Sequence, residues 1–454
     1  MKHIAIIGGG ISGLTAAYEL EQARRRGVEL DWHLYEASNR FGGIVETSHH
    51  QGFVLEGGPD GWVSEKPAAR ELAIELGLEQ ELIFSNDATR KTYILRDHQL
   101  EEIPASMRMM VPMDLAALET SPLFSREAKR AYAAEAGRAR ELKDTAPRED
   151  ESVASFVARH FGQEVLDTLA APLLSGVFGG DVHRLSVRAV MPQFVAMERE
   201  HGSLIIGLQQ RRAALERTGS TSAQPIFTSL RRGMGSLVQA LVEALPADRL
   251  HLGIRLNALP ADTDATLLAT SLDTTCRLLP AAAPLLPAEA SSALLIAFVW
   301  PGALAQDFSV PPGFGYLVPP TGSAEHLLAC TFVDQKFPHR TPEQGGRILR
   351  AFYGGAAAAR LRNATDETIA HDALEQLRHT LGPLPEPTHT TVRRWPRSLP
   401  QYEVGHLNRM AQLDQLVATL PGLHLLGNSY RGVGLPDLIH AARATARRLA
   451  QEPS

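Results

Sequence analysis

Two cysteines, Cys276 and Cys330, make up the whole thiol content of the 454 residues. They lie far apart, without the histidine or cysteine neighbours that a zinc or iron site needs. Neither a disulfide framework nor a metal centre is expected, and no metal ligand is assigned. Long apolar runs are missing as well. The longest, such as Ala293 to Trp300, are strand-sized, well short of the ~20 residues that cross a bilayer. The first apolar strand begins at His3, which leaves no room ahead of it for a signal or transit peptide. The expected location is cytoplasmic, with peripheral contact at the inner face of the cell membrane left open. Basic blocks are absent: Arg24-Arg25-Arg26 is the densest run and reads as a solvated helix end, and the net charge is -6. No nucleic-acid partner is expected. No Ser/His/Asp constellation or carboxylate pair calls for hydrolytic or acid–base work, and His160, His183 and His406 read as structural.

What the chain does have is length for two or three domains, with 44% hydrophobic and 21% charged residues, the balance of an ordinary globular protein. It also opens on an organising stretch. Ile4-Ala5-Ile6-Ile7 runs into Gly8-Gly9-Gly10-Ile11-Ser12-Gly13 and then into the helical pattern Leu14, Ala17, Tyr18, Leu20. Strand, glycine turn and helix start is the order a dinucleotide needs. Gly8 permits the tight turn, Gly10 lets the backbone approach the pyrophosphate, and Gly13 lets the helix pack on the strand. Ile11 and Ser12 then open a helix whose N-terminus faces two phosphates. A second strand, Leu30 to Tyr35, ends in Glu36, 23 residues past Gly13, where a carboxylate accepts ribose hydroxyls.

After Glu36 come Arg40, Gly42 and Gly43, then Gly57-Gly58-Pro59-Asp60-Gly61. The spacing Glu-x(3)-Arg-x-Gly-Gly resembles the two-dinucleotide-binding flavoproteins of the amine-oxidase superfamily. The resemblance implies that Arg40, Gly42, Gly43, Gly58, Pro59, Asp60 and Gly61 sit along an FAD. No second GxGxxG follows, which argues against a built-in NAD(P)H site. Near the C-terminus a strand, Leu423 to Leu426, runs into Gly427 and on through Val433-Gly434-Leu435-Pro436 to a helix ending at Gln451. Gly427, Val433, Gly434 and Leu435 are expected at the flavin, with the helix N-terminus favouring negative charge on its reduced ring. Neither cysteine lies in this motif, so the FAD is expected to be non-covalent.

Three further stretches narrow the resemblance to the protoporphyrinogen oxidase family, with its coproporphyrinogen-oxidising members. They are Pro172 to Asp181 followed by Leu185-Ser186-Val187-Arg188, then Phe314 to Pro319, and Trp395-Pro396 with Leu399 to His406. The resemblance spans nearly the whole chain. It implies an α/β architecture: a Rossmann-like FAD-binding domain of the two-dinucleotide type, an inserted mixed-sheet substrate domain and a helical subdomain. The expected segments are 1–85, 226–290 and 391–454 for FAD; 86–103, 185–225 and 291–390 for substrate; and 104–184 for the helices. Trp395 is expected to return toward the flavin. Gly176 would let its backbone approach a pyrrole, and Leu317 and Phe332 would sandwich the macrocycle, although ordinary core residues would look the same. Some family members carry an arginine at the position of Thr92; here Arg90 and Lys91 are the neighbouring cations for a propionate. The family's β-meander near Leu252 is shortened or missing, with Ile254 a candidate adenine contact.

Coarser expectations complete the reading. Residues 67 to 83 read as one helix, and 105 to about 180 as mostly helical. Met107, Met109, Met110 and Met113 read as core filler, with a membrane- or porphyrin-facing surface as the alternative. The resemblance implies oxidation of protoporphyrinogen IX to protoporphyrin IX in haem biosynthesis, with molecular oxygen as acceptor. Coproporphyrinogen III is the second choice, and another flavin oxidase or a non-catalytic flavin protein a more distant one.

Overall fold

The computed structural model describes residues 1–217, 225–320 and 327–452. Its organising layer is a five-stranded, wholly parallel sheet in the spatial order Leu250–Leu252, Leu30–Glu36, Lys2–Ile7, Ala265–Leu268, Leu423–Leu425. Ile4 to Ile7 and all of Ala265–Leu268 are buried, as interior strands covered on both faces must be. The helices Ile11–Arg25 and Leu435–Gln451 pack against each other and join one core through Leu14, Leu20, Ile439, Ala442 and Ala446. The first and last helices of the chain therefore cover the same sheet.

A second, seven-stranded sheet is mixed. Its order is His389–Pro400, Ala290–Pro301, Gly346–Gly354, Ala329–Phe332, Gly315–Leu317, Thr92–Arg96, Gln99–Glu102. Only Gly315–Leu317 and Thr92–Arg96 run parallel; the other neighbours are antiparallel. A helical layer built from residues 116 to 217 forms its own core around Phe156, Val157, Phe161, Leu169 and Leu204. The α/β architecture with a parallel and a mixed sheet is thus the one expected. Because His389–Pro400 pairs with Ala290–Pro301 along its length, the expected segment limit between residues 390 and 391 falls inside a strand of the mixed sheet.

Three local expectations change. The helix expected over 67 to 83 is Ala68–Glu75, and Gly77 ends it. Gly77 takes φ 78°, and the Leu78 N–H donates to the Ala73 carbonyl, a left-handed helix stop that only glycine adopts at no steric cost. The segment then turns into the strand Leu82–Phe84. Around the methionines the chain makes a hairpin, Met107–Arg108 against Val111–Pro112, with Met109 at φ 53°. Met110 is buried, and Met107, Met109 and Met113 pack on the helical core, which is the filler role. The strand Leu250–Leu252 is followed by no other strand before Ala265, so the meander expected to be shortened or missing is missing. Ile254 is 46% exposed, and its N–H donates to the Glu36 carbonyl.

Candidate cofactor and substrate site

The glycine loops meet at the carboxyl ends of the parallel strands, where open α/β sheets bind ligands. Gly8 takes φ 107°, and a Cβ there would stand 2.3 Å from the Ala269 carbonyl oxygen; a Cβ on Gly13 would stand 1.9 Å from that of Gly8. Both positions exclude any side chain. Gly10 differs, since the nearest atom to its Cβ position is Gly43 Cα at 4.0 Å, and its open side faces the second glycine pair. Gly10 and Gly42 form a parallel bridge, with the Gly42 N–H donating to Gly9 O at 2.8 Å. The helix Ile11–Arg25 has no side-chain cap and no acidic residue in its first turn, so its N–H groups are left for an external anion. Ile11 and Ser12 are buried in that turn.

Glu36 is oriented by the same loop. Its Oε2 accepts from the Gly9 N–H at 2.7 Å and its Oε1 from the Ser38 N–H at 2.8 Å. Each carboxylate oxygen keeps a lone pair for a hydroxyl donor. Arg40 donates to the carbonyls of Phe41, Gly43 and Val45, pairs with Glu46 at 3.2 Å, and lies 5.8 Å from the centroid of the Trp395 ring. It shapes the loop that carries Gly42 and Gly43. Trp395 Nε1 donates to Gly57 O at 2.6 Å, which draws the mixed sheet onto the Gly57 to Gly61 loop.

In that loop Gly58 and Gly61 are glycines because backbones touch. Their Cβ positions lie 1.8 Å from Ile44 O and 2.5 Å from Thr228 O, with the partly exposed Pro59 between them. Asp60 departs from expectation. Its carboxylate is held by Lys336 Nζ at 3.0 Å and Arg350 at 3.3 Å, so the side chain belongs to an internal ion cluster. Burial raises its pKa, but the two cations outweigh this and hold it at about 2. Arg340, fully buried, pairs with Glu56 at 2.8 Å in the same cluster. Nothing in the spacing of Lys336, Arg340 and Arg350 signals this role, because their partners lie hundreds of residues away in the chain.

The C-terminal loop completes the ring of glycines. Gly427, at φ 122°, has its Cβ position 3.7 Å from Thr270 O, beside the turn that Gly8 abuts. Val433 and Gly434 are partly exposed, Leu435 is buried, and Gly434 caps the helix Leu435–Gln451 without a side-chain bond. That helix end is not an empty positive pole. Its first turn contains Asp437, whose carboxylate is shared between the helix end and Lys66 at 2.7 Å.

On the substrate side, Gly176 sits on the exposed side of the helix Ala171–Phe178, and Leu317 Cδ2 lies 3.4 Å from its Cβ position. The structure brings these two together. The same turn borders a cavity of about 400 Å³ lined by Ser175, Gly179, Gly180, Val318, Gln401 and Glu403 among others. Phe332 does not join them. Tyr316 pairs with Cys330, so Phe332, two residues on, shares the Tyr316 face while Leu317 looks the opposite way. Phe332 is fully buried in the core behind the sheet, so a sandwich of Leu317 and Phe332 is ruled out by strand alternation. Lys91 is held by Glu102 at 2.6 Å and Arg90 stands 4.0 Å from Asp87, both exposed ahead of the strand Thr92–Arg96.

His160 and His406 are both fully buried and hydrogen-bonded, the structural role expected. His183 is exposed. Cys330 is buried, which pushes its thiol pKa well up, and Cys276 is pushed up in the same direction. Among the described residues, no group of three or more His, Cys, Asp and Glu has the geometry to hold a metal ion, and no helix is long and apolar enough to cross a membrane.

Glycine loops converging at the ends of a parallel sheet, closed by a mixed sheet through Trp395, define a flavin-dependent oxidoreductase of the amine-oxidoreductase class. The sequence pattern of flavin containing amine oxidoreductases matches residues 11–450. More particularly, the chain belongs to the protoporphyrinogen/coproporphyrinogen III oxidase family. It is 33% identical over 467 residues to the coproporphyrinogen III oxidase of Bacillus subtilis (strain 168), covering 98% of this chain and 97% of that one. It is 29% identical to the protoporphyrinogen oxidase of Bos taurus, covering 100% and 99%. A crystal structure from Exiguobacterium sp. 255-15 superposes with a TM-score of 0.84 at 30% identity, covering 100% and 99%. The family implies FAD, and the uncapped helix after Gly10, the open side of Gly10 and the oriented Glu36 carboxylate fit a dinucleotide.

Proposed function

We propose that this chain oxidises coproporphyrinogen III to coproporphyrin III in haem biosynthesis, with non-covalent FAD and with oxygen as the final acceptor. The observation that carries the reading is full-length similarity to a coproporphyrinogen III oxidase at higher identity than to a protoporphyrinogen oxidase. It reverses the order expected from sequence, which put protoporphyrinogen IX first. Bound FAD supplies the two-electron acceptor chemistry, and a porphyrinogen, losing six electrons, requires three such cycles with hydrogen peroxide as the product.

The chain's own residues bind and position. Gly10, with the N–H groups of Ile11 and Ser12, would hold the pyrophosphate at the turn that Gly8 and Gly13 shape, and Glu36 would hold the ribose. Gly42, Gly43, the loop Gly58 to Gly61, Trp395, Gly427 and the turn Val433 to Leu435 surround the remainder. Gly176 and Leu317 form the walls of the substrate cleft. A methylene between two electron-rich pyrroles gives up hydride with the positive charge delocalised over both rings, so the site's task is to position it rather than to supply a strong base. Non-covalent attachment is supported by the burial of Cys330 and by the absence of cysteine from the 427–437 motif.

The test is anaerobic mixing of FAD-loaded protein with freshly reduced coproporphyrinogen III. The flavin absorbance is expected to bleach and to return on admission of air, with porphyrin fluorescence appearing. A yellow protein that does not bleach would sink the proposal. Release of the flavin on denaturation tests its non-covalent attachment.

A further inference from the structure

The segment Gln401–His406, which leaves the last strand of the mixed sheet, is fastened on two sides. On the substrate side, Gln401 Nε2 donates to Phe178 O at 3.0 Å, at the end of the helix carrying Gly176, and to Leu399 O at 2.8 Å. The backbone then bridges Leu185 to Glu403, with the Ser186 N–H donating to Tyr402 O at 2.8 Å and the Val404 N–H to Arg184 O at 2.9 Å. On the other side lie two aromatic rings. Tyr402 and His406 stack face to face, with centroids 4.0 Å apart and planes 11° from parallel.

Both polar tips point into the glycine-rich C-terminal loop. Tyr402 Oη donates to Asn428 O at 2.6 Å and lies 3.3 Å from Gly432 O. His406 Nε2 donates to Tyr430 O at 2.7 Å, which fixes the neutral ring with its proton on Nε2. Burial lowers its pKa to about 4, so the ring stays in that form at neutral pH. The side chains are 2% and 0% exposed, where such hydrogen bonds are costly to leave unmade. Asn428 returns one bond, from Nδ2 to Ser398 O at 2.8 Å. Residues 427 to 434 form no helix or strand, so these bonds do for the loop what a ladder does elsewhere.

We propose that Tyr402 and His406 are positioning residues. By holding the carbonyls of Asn428, Tyr430 and Gly432 they set the course of the loop that presents Val433, Gly434 and Leu435 to the flavin. The inference rests on the FAD-binding reading above. It assigns these two side chains control of the flavin's environment, beyond support of the fold.

The experiment compares wild type with Tyr402→Phe, which keeps the stacked ring and removes only the hydroxyl, and with His406→Leu and His406→Gln. Each FAD-loaded protein is examined for far-ultraviolet circular dichroism, FAD content, visible flavin spectrum and midpoint potential, and for steady-state turnover. Tyr402→Phe is expected to fold and load FAD as wild type does, with displaced flavin bands, a shifted potential, and kcat lowered about tenfold at unchanged KM. His406→Leu is expected to show the larger displacement, and His406→Gln, which keeps an N–H donor, to return toward wild type. Loaded Tyr402→Phe with wild-type spectrum, potential and kcat would overturn the proposal, as would a His406→Gln that departs from wild type as far as His406→Leu does. Wild-type protein that binds no FAD would instead overturn the reading on which it rests.

Discussion

Gly176 and Leu317 face each other between the helix Ala171–Phe178 and the mixed sheet, with 3.4 Å from Leu317 Cδ2 to the place where a Cβ on Gly176 would stand. That is ordinary van der Waals contact, so a methyl fits, while a longer side chain would extend beside Leu317. Alanine in place of a helical glycine favours the fold by up to ~1 kcal/mol. Gly176→Ala is therefore expected to raise the thermal midpoint slightly while raising KM, and Gly176→Leu to abolish most turnover with FAD still bound. Thermal unfolding, flavin content and kinetics on the same preparations check this; unchanged kinetics in both variants would remove Gly176 from the cleft.

Gly10 and Gly13 belong to one motif but respond differently to a methyl. The Cβ of Gly13→Ala would collide with Gly8 O at 1.9 Å, so this variant is expected to lose thermal stability even without flavin. The Cβ of Gly10→Ala meets no protein atom closer than 4.0 Å. That variant is expected to keep the apoprotein's stability and lose FAD affinity by tenfold or more. Apoprotein melting curves beside FAD titrations separate the two; tight FAD binding by Gly10→Ala would contradict a pyrophosphate at that turn.

His160 is sandwiched between Glu135 at 2.9 Å and Glu198 at 3.1 Å in the helical core, all three buried. Burial pulls its pKa down, but the hydrogen bonds to the two carboxylates outweigh this and leave it raised above 6.5. The resulting stabilisation is fully present below the unfolded value and is lost as pH rises through the raised one. Glu198 shows the reverse sign. Burial pushes its pKa up, His160 and Arg159 more than offset this, and its contribution is present above 4.5 and lost as pH falls through the lowered value. Thermal stability is expected to decline as pH rises through the raised His160 value. His160→Gln is expected to cost about 3 kcal/mol near neutral pH and to flatten that decline. An unaltered pH profile of melting in the variant would refute the assignment.

Local pattern carried the first strand, the glycine turn, Glu36 and the C-terminal helix into view, because each is specified by residues adjacent in sequence. The structure diverges where distant partners decide. Asp60 reads as a member of a glycine loop, yet Lys336 and Arg350 claim its carboxylate across the seam between the sheets. Phe332 resembles a wall of the cleft until the pairing of Tyr316 with Cys330 turns it to the opposite face. The hairpin at Met107 to Pro112 shows no alternation strong enough to separate it from a helix, and Gly77 inside an apolar pattern was the available sign that the second helix stops. Tyr402 and His406 lie in a stretch that marks the family, but their hold on the loop after Gly427 depends on three-dimensional contact.

The most direct test of the account is oxygen-dependent turnover of purified, FAD-loaded protein on freshly reduced coproporphyrinogen III and protoporphyrinogen IX in parallel, followed by porphyrin fluorescence against the spontaneous rate. The account predicts a higher kcat/KM for coproporphyrinogen III. A clear preference for protoporphyrinogen IX would contradict the choice of substrate. Failure to exceed the spontaneous rate on either, with FAD bound, would contradict the porphyrinogen oxidase reading itself.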